Sequence, residues 1–355
     1  MSKLVFILGA GASAAAGAPT MLKFLDRAES IGRSGSLYED DQSKFDLVFK
    51  AYDCLQSVYS KSSSDIDLLN IESLFAAFEM SETIGCLRGL GESPSGLIPA
   101  ITRVIVRTIE QSVVLPGNGM NPPAPYGQFC AWIKSRAKEI SILTFNYDLC
   151  LDWALHLAGI KPNYHLPNDP LEDQTAVDVL KLHGSLNWVW CKKCEVIPRR
   201  LSDLDNRILT NLQDGTSRLT VADFIGLQTC NKCTTQLSRE PVIVPPTWNK
   251  GSFSSSSMRN VWARAAKHLA EAEYIVIIGY SVPPTDHFFH YLYALGTMSA
   301  TRVKKILVYN PDSSIEERYR RLLGPTAISR FSFISGQNGK FEFAIPNFAG
   351  LLGHW

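Results

Sequence analysis

The chain has almost no excess charge of either sign. Thirty-five Lys and Arg stand against 34 Asp and Glu in 355 residues, a formal net charge of +1. That balance excludes a globally basic nucleic-acid binder and leaves at most a local basic patch. No apolar run approaches the ~18 residues of a membrane span. The opening Leu4-Val5-Phe6-Ile7-Leu8 ends in a glycine-rich turn rather than a cleavage site, so it reads as a core strand and not as a signal segment. Eight cysteines are too few for a disulfide scaffold. No internal repeat is visible, and no Gly-Lys-Ser/Thr follows the first glycines, which excludes a P-loop. With 45% hydrophobic and 19% charged residues, the chain can bury a sizeable core and is not of disordered composition. A cytoplasmic protein with reduced thiols is expected.

What is present alternates. Short apolar runs at 3–8, 140–145, 179–182, 242–244, 274–278 and 305–309 are mostly uninterrupted, as in parallel strands covered on both faces. Helix-compatible stretches at 20–29, 126–138, 149–157 and 258–272 lie between them. The pattern predicts an α/β protein with a Rossmann-like, doubly wound parallel sheet. Residues 1–35, 126–187 and 241–335 form this nucleotide-binding domain. Two stretches break the alternation: a helical insertion at 36–125, with a Ser-rich break at 57–64, and a cysteine-bearing module at 188–240. The tail 336–355 is not interpretable alone, and Ser252–Ser257 reads as a loop.

Six constellations carry chemistry. Gly9-Ala10-Gly11-Ala12-Ser13 follows the first strand and precedes a helix, where backbone N–H groups can approach a phosphate. The same glycines also suit any tight strand-to-helix turn, and the usual G-x-G-x-x-G is not completed, since Ala14 stands at the third glycine. Thr144-Phe145-Asn146-Tyr147-Asp148 ends a strand, where open α/β sheets bind ligands; Asn146 can equally turn the chain and Asp148 cap the next helix. His183, in Lys181-Leu182-His183-Gly184-Ser185, is a candidate base near neutral pH or a satisfied core histidine. Cys191, Cys194, Cys230 and Cys233 form two C-x-x-C pairs separated by 35 residues, a set suited to tetrahedral zinc. Four sulfur ligands leave no open position, so this zinc is structural. Gly279-Tyr280-Ser281 and Asn310 end two further strands and suit a ribose, phosphate or adenine edge; Asp286 suits a helix cap.

In this order the set resembles the sirtuin-like superfamily, over about residues 1–320. The likeness runs through Gly-Ala-Gly-Ala-Ser-x3-Gly-x-Pro at 9–19, Thr-x-Asn-x-Asp at 144–148, His-Gly-Ser at 183–185, the paired C-x-x-C, Gly-x-Ser at 279–281 and Asn310. The resemblance implies an NAD+-binding Rossmann-like domain, a small helical and zinc-bearing subdomain, and cleavage of the nicotinamide–ribose bond. It implies that Gly9, Ala10, Gly11 and Ser13 line the pyrophosphate and that Asn146 orients the nicotinamide ribose or a water. Asp148 would hold the carboxamide and His183 would be the base. Gly279, Ser281 and Asn310 would hold the adenosine half.

Departures set the subclass. Protein-deacylating sirtuins carry Pro-x-Phe-Arg after the first loop; here it is Pro19-Thr20-Met21-Leu22. They carry Gln before the Asn; here it is Phe145. Their Phe-Gly-Glu segment is replaced by Pro245-Pro246-Thr247-Trp248-Asn249-Lys250. Gly-Tyr-Ser-x-Pro-x-x-Asp, the preceding helix with Trp262, and Asn70-Ile71-Glu72 are similar to bacterial sirtuin-like NADases of antiphage defence. The expectation is therefore an NAD+ hydrolase that releases nicotinamide to give ADP-ribose or a cyclic form and acts by NAD+ depletion, with NAD+ as substrate and zinc as structural ion. An NAD-dependent protein deacylase and a non-catalytic NAD+ or ADP-ribose sensor are the alternatives. Because unregulated NAD+ loss kills the host, control is expected from a homo-oligomer or a separately encoded activator.

Overall fold

The computed structural model describes residues 4–56, 67–167, 176–201, 208–225, 229–245, 255–284, 286–299 and 301–351. The Ser-rich break at 57–64, residues 246–250 and residues 252–254 lie outside the described residues.

In chain order the first half runs β1 (Leu4–Leu8), α1 (Met21–Arg33), α2 (Glu39–Gln56), α3 (Ile71–Ile84), α4 (Leu97–Ser112), α5 (Tyr126–Ile133), β2 (Ile140–Thr144), α6 (Cys150–Leu157), β3 (Pro162–Asn163) and β4 (Val177–Lys181). Then come β5 (Gly184–Cys191), β6 (Glu195–Pro198), β7 (Leu209–Asn211), β8 (Ser217–Leu219), α7 (Ala222–Ile225) and β9 (Leu237–Ile243). The last part holds α8 (Ser256–Glu271), β10 (Tyr274–Ile278), α9 (His287–Gly296), β11 (Lys305–Tyr309), α10 (Glu316–Leu322), α11 (Pro325–Ile328), β12 (Phe331–Ile334) and α12 (Phe341–Leu351).

The central sheet has seven parallel strands in the order β12-β11-β10-β1-β2-β4-β3. β1 is its middle strand, and all five of its residues are fully buried, which is why this run carries no polar residue. Chain order moves outward from β1 on one side through β2 and β4, and on the other through β10 and β11. The two windings part at β1, so a crevice opens at the carboxyl ends of β1, β2 and β10.

One expected strand sits elsewhere. The apolar run at 242–244 overlaps β9, which pairs antiparallel with β5 in a three-stranded sheet rather than joining the parallel one. Two real edge strands escaped notice: β3 spans two residues, and β12 is half-buried throughout. The tail folds back as α12, whose Phe348 packs edge-on against Phe6 of β1 and against Trp132.

Among the described residues of the stretch 36–125, α2, α3 and α4 supply most of the regular structure. α1, α2 and α3 all pack on α4, whose Ile101, Val104, Ile105 and Val106 are buried. Two arginines of α4 then meet acidic groups of α2, of α7 and of α4 itself. Arg103 Nε donates to Asp41 Oδ1 at 2.6 Å and Arg107 Nε to Asp41 Oδ2 at 2.8 Å. Arg107 also reaches Glu110 at 2.8 Å and Asp223 of α7 at 2.5 Å. Glu110 Oε1 in turn accepts from the backbone N–H of Val221 and Ala222 at 2.7 and 2.9 Å. This network joins the helices to the cysteine-bearing segment. Burial works against the charge on Arg107, yet the field of Glu110 and the hydrogen bond to Asp223 hold its guanidinium above its ordinary range. Removing one partner of a buried pair strands the others. Arg107→Met should therefore lower stability by about 3–5 kcal/mol. Lys50→Met, which removes the exposed pair with Glu92, should cost less than about 1 kcal/mol. Urea denaturation of both variants checks the contrast; equal costs would overturn it.

Candidate functional site

A cleft of about 570 Å³ occupies the crevice at the strand ends, a size that holds a nucleotide-sized ligand. Ala10, Gly11, Asn146, Asp148, His183, Gly279, Ser281 and Asn310 line it. The first loop, the end of β2, the end of β4, the end of β10 and the end of β11 thus converge on one space. Gly9 and Ser13, also expected there, lie just behind its wall, and Ser13 is fully buried.

The glycines of the first loop serve packing. A Cβ on Gly9 would stand 2.5 Å from Tyr280 Cα, and one on Gly11 would stand 2.8 Å from Gly279 Cα. Gly9 N–H donates to Ile278 O at 3.0 Å and Gly11 N–H to Gly279 O at 2.9 Å. Gly279 itself has φ +63°, and its Cβ would meet Ala12 N at 2.4 Å. A steric demand between two strand ends is therefore met by three glycines. It leaves the short 3₁₀ turn at Ala10–Ala16 facing the cleft.

Asn146 and Asp148 are positioned by the same floor. Asn146 Nδ2 donates to Gly9 O at 3.0 Å and to Ser13 Oγ at 3.2 Å, and Ser13 Oγ is 2.8 Å from Tyr126 Oη. With Nδ2 anchored, Asn146 Oδ1 is the acceptor left for the cleft. Asp148, one residue before the Leu149 cap position of α6, accepts from Cys150 N–H at 2.9 Å through Oδ1. The carbonyl of Asp148 is held by Lys181 Nζ at 2.8 Å; the same ammonium bonds Asp152 Oδ2 at 2.8 Å. Lys181 is 1% exposed, and its positioning part was not read from the sequence. The available signal was a lysine closing an otherwise buried strand.

His183 sits at the end of β4, 2% exposed. Its Nε2 is buried and has no hydrogen-bond partner. Phe145 lies edge-on to the imidazole at 5.1 Å and stacks on Tyr280 at 4.3 Å. Burial lowers its pKa from the ordinary 6.5, opposed by the charge of Asp286. Gly184 follows with φ +86°; a Cβ there would fall 2.1 Å from Val242 O, so glycine is required where the chain leaves the parallel sheet and enters β5. Asp286 accepts from Tyr280 Oη at 2.5 Å and from Phe289 N–H at 3.0 Å, capping α9 while lining the cleft. Asn310 Nδ2 donates to Tyr280 O at 3.3 Å and Oδ1 accepts from Asp312 N–H at 3.0 Å. Glu72, two residues after the Asn70 cap of α3, also faces the cleft, as do Lys340 and Phe341 beside α12.

The four cysteines converge. Cys191 Sγ and Cys233 Sγ are 3.4 Å apart, Cys230 Sγ and Cys194 Sγ 3.9 Å, and all four lie within 4.8 Å of one another. Tetrahedral zinc with bonds of about 2.3 Å sets sulfurs about 3.8 Å apart. The donor set fits that ion. Bonds from Thr235 bring the Cys233 thiol down to about 6, whereas its bond with Cys233 pushes Cys194 up to about 12. A cation is what lets all four ionise together. The cluster lies in the β5–β6 turn and the segment before β9, away from the cleft-lining residues.

Two outcomes follow. Cys191→Ser should remove one metal ion per chain and lower the melting temperature, read by elemental analysis and calorimetry. His183 gives a pH signature. Its pKa is lower folded than unfolded, so its contribution is complete above about 6.5 and is lost as pH falls below that. The stability gap between wild type and His183→Gln, measured in urea, should shift against the wild type between about pH 7.5 and pH 5.5. A gap independent of pH would mean that the imidazole is not held neutral.

No family model matches the chain, and no curated protein matches it. Among solved structures it is similar to a Sir2 homologue mutant in complex with ADP-ribose, with 15% identity over 99% of this chain and 94% of that one and a TM-score of 0.38. It is similar also to Sir2Tm bound to a propionylated peptide, with 14% identity, coverage of 98% and 93%, and a TM-score of 0.37. A third is Sir2 with a p53 peptide and NAD+, with 14% identity, coverage of 98% and 93%, and a TM-score of 0.36. With TM-scores below 0.5 these likenesses carry no functional weight.

Proposed function

We propose that the protein is an NAD+ glycohydrolase that cleaves nicotinamide from NAD+ with water. The observation that carries this reading is His183, whose buried Nε2 has no hydrogen-bond partner, on the wall of a nucleotide-sized cleft that Asn146 and Asp148 also line. A base without an internal partner in a cavity invites a substrate proton.

Nicotinamide leaves a cationic ring as a neutral molecule, so positive charge builds on the ribose. Asp148, Asp286 and Glu72 surround the space with carboxyl groups that favour such charge. Asp148 Oδ2 can accept from the carboxamide N–H₂. Asn146 Oδ1, steadied through Nδ2, can accept from a water or ribose hydroxyl. His183 takes the proton that the water or hydroxyl gives up. Gly11, Gly279, Ser281 and Asn310 bind the far half of the dinucleotide. The rings of Phe145 and Tyr280 exclude bulk water beside the base. Zinc at the four cysteines supplies rigidity and no chemical step. Phe145 and the missing arginine at Pro19–Leu22 favour water over an acyl-lysine as acceptor. We place the enzyme in the cytoplasm as an effector of antiphage defence, held inactive until self-assembly or an activator protein releases it.

The test is nicotinamide release from NAD+ by the purified protein, at high concentration, with and without an acetyl-lysine peptide. Release should need no peptide. Asn146→Ala and His183→Ala should each lose on the order of a hundredfold or more of the rate while staying folded. Release only with peptide would replace hydrolase by deacylase. Equal rates in wild type and both variants would overturn the site.

A further inference from the structure

We propose that His165, Asp178 and His268 form a second metal site, for a divalent first-row cation such as zinc, which clamps α8 to the edge strands of the parallel sheet. The site is independent of the cleft and of the four cysteines.

Three elements meet there. His165 follows β3, Asp178 lies on β4 and His268 on the last turns of α8. His165 Nε2 is 2.8 Å from Asp178 Oδ1, and His268 Nε2 is 2.9 Å from Asp178 Oδ2. All three donors lie within 4.8 Å of one another. Two imidazoles and one carboxylate are the ligand set of open three-residue sites for zinc and related ions, with room left for water.

Hydrogen bonding alone does not account for the geometry. The His268 side chain is 5% exposed; its Nε2 lies 2.9 Å from Asp178 Oδ2, and its Nδ1 is buried with no hydrogen-bond partner. Nothing else satisfies that imidazole, which is the condition of a ligand lacking its ion. His165 Nε2 stands on the same carboxylate, 3.3 Å from Asn163 Nδ2, which itself donates to Asp178 Oδ1 at 3.2 Å. A cation shared with the carboxylate would take the Nε2 lone pair and leave the Asn163 bond in place. The backbone is committed as well: His165 has φ +55°, a region that side chains seldom adopt, and Asn163 Oδ1 accepts from its N–H at 3.2 Å. Arg264 Nη2 stands 4.0 Å from Asp178 Oδ2 and is 38% exposed, so it can turn to solvent when an ion enters.

The clamp has a place in the fold. Less than two turns before His268, Trp262 Nε1 of α8 donates to Leu182 O at 3.0 Å, beside His183. Fixing α8 on β4 therefore steadies the strand end that carries the cleft histidine.

Cobalt titration of the folded, zinc-stripped protein tests the proposal, because the two sites differ in colour. The four cysteines give an intense thiolate charge-transfer band; two imidazoles and a carboxylate give only weak d–d absorption. Wild type should bind two equivalents, the second without a thiolate band and with a dissociation constant below about 10 μM. His165→Ala, on a partly exposed turn, should fold, keep the thiolate band and weaken the second equivalent at least a hundredfold. His268→Ala should do the same. Zinc should raise the melting temperature of Cys191→Ser and not of Cys191→Ser combined with His165→Ala. Equal non-thiolate binding by wild type and His165→Ala would overturn the site. So would a second equivalent weaker than about 100 μM, which would mean an adventitious ion only.

Discussion

Backbone lies directly on backbone where the first loop crosses the end of β10. Gly11 donates to Gly279 O, and Gly279 leaves no room for a side chain against Gly11 and Ala12. That close approach keeps the floor of the cleft thin. It brings Ile278 and Gly279 within reach of Gly9, which in turn offers its carbonyl to Asn146. Ser13 and Tyr126 complete the same chain of bonds. Widening the contact by one methyl group would move the anchor of the Asn146 amide and, with it, the amide oxygen left for the cleft. Packing at this depth tolerates little volume change.

The residues that look most catalytic also hold the fold together. Asp148 bonds the first N–H of α6 while lining the cleft. Asp286 caps α9 while facing His183. Asn146 spends its amide N–H₂ on the floor. Reading these positions as caps or as ligand contacts is not a choice between exclusive roles. A side chain tied down by half its hydrogen-bonding capacity is fixed in orientation, so its other half meets a ligand without reorganisation. Lys181 extends this to the main chain, since its buried ammonium fixes the carbonyl of Asp148. His183 alone has an unpartnered nitrogen among these groups.

Much of the parallel sheet was legible because its strands are apolar on both faces. β1, β2, β10 and β11 announce themselves as uninterrupted runs. The run ending at Ile243 was equally apolar, but apolarity does not say which sheet a strand joins, and β9 pairs with β5. β3 is too short to show a period, and β12 is half-buried with none. In the cleft, strand ends were legible because motif residues fall where a strand stops. Ser13 and Gly9 stand behind the cleft-lining residues, a difference between wall and support that sequence does not show. The four cysteines were plain from two local spacings. His165, Asp178 and His268 stand on three distant elements, and only the fold reveals their meeting.

The middle position of β1 has a consequence for how the molecule comes into being. Leu4 pairs with Ile140 on one side and with Tyr274 on the other. As the chain is synthesised, its central strand stands with one edge bare until β10 has been made. The cleft is lined by Gly279 and Asn310 as well as by the first loop, so its wall stays incomplete until β11 has followed. Long-range closure of this kind is slow. The order of strands thus makes the cleft one of the last features of the parallel sheet to form.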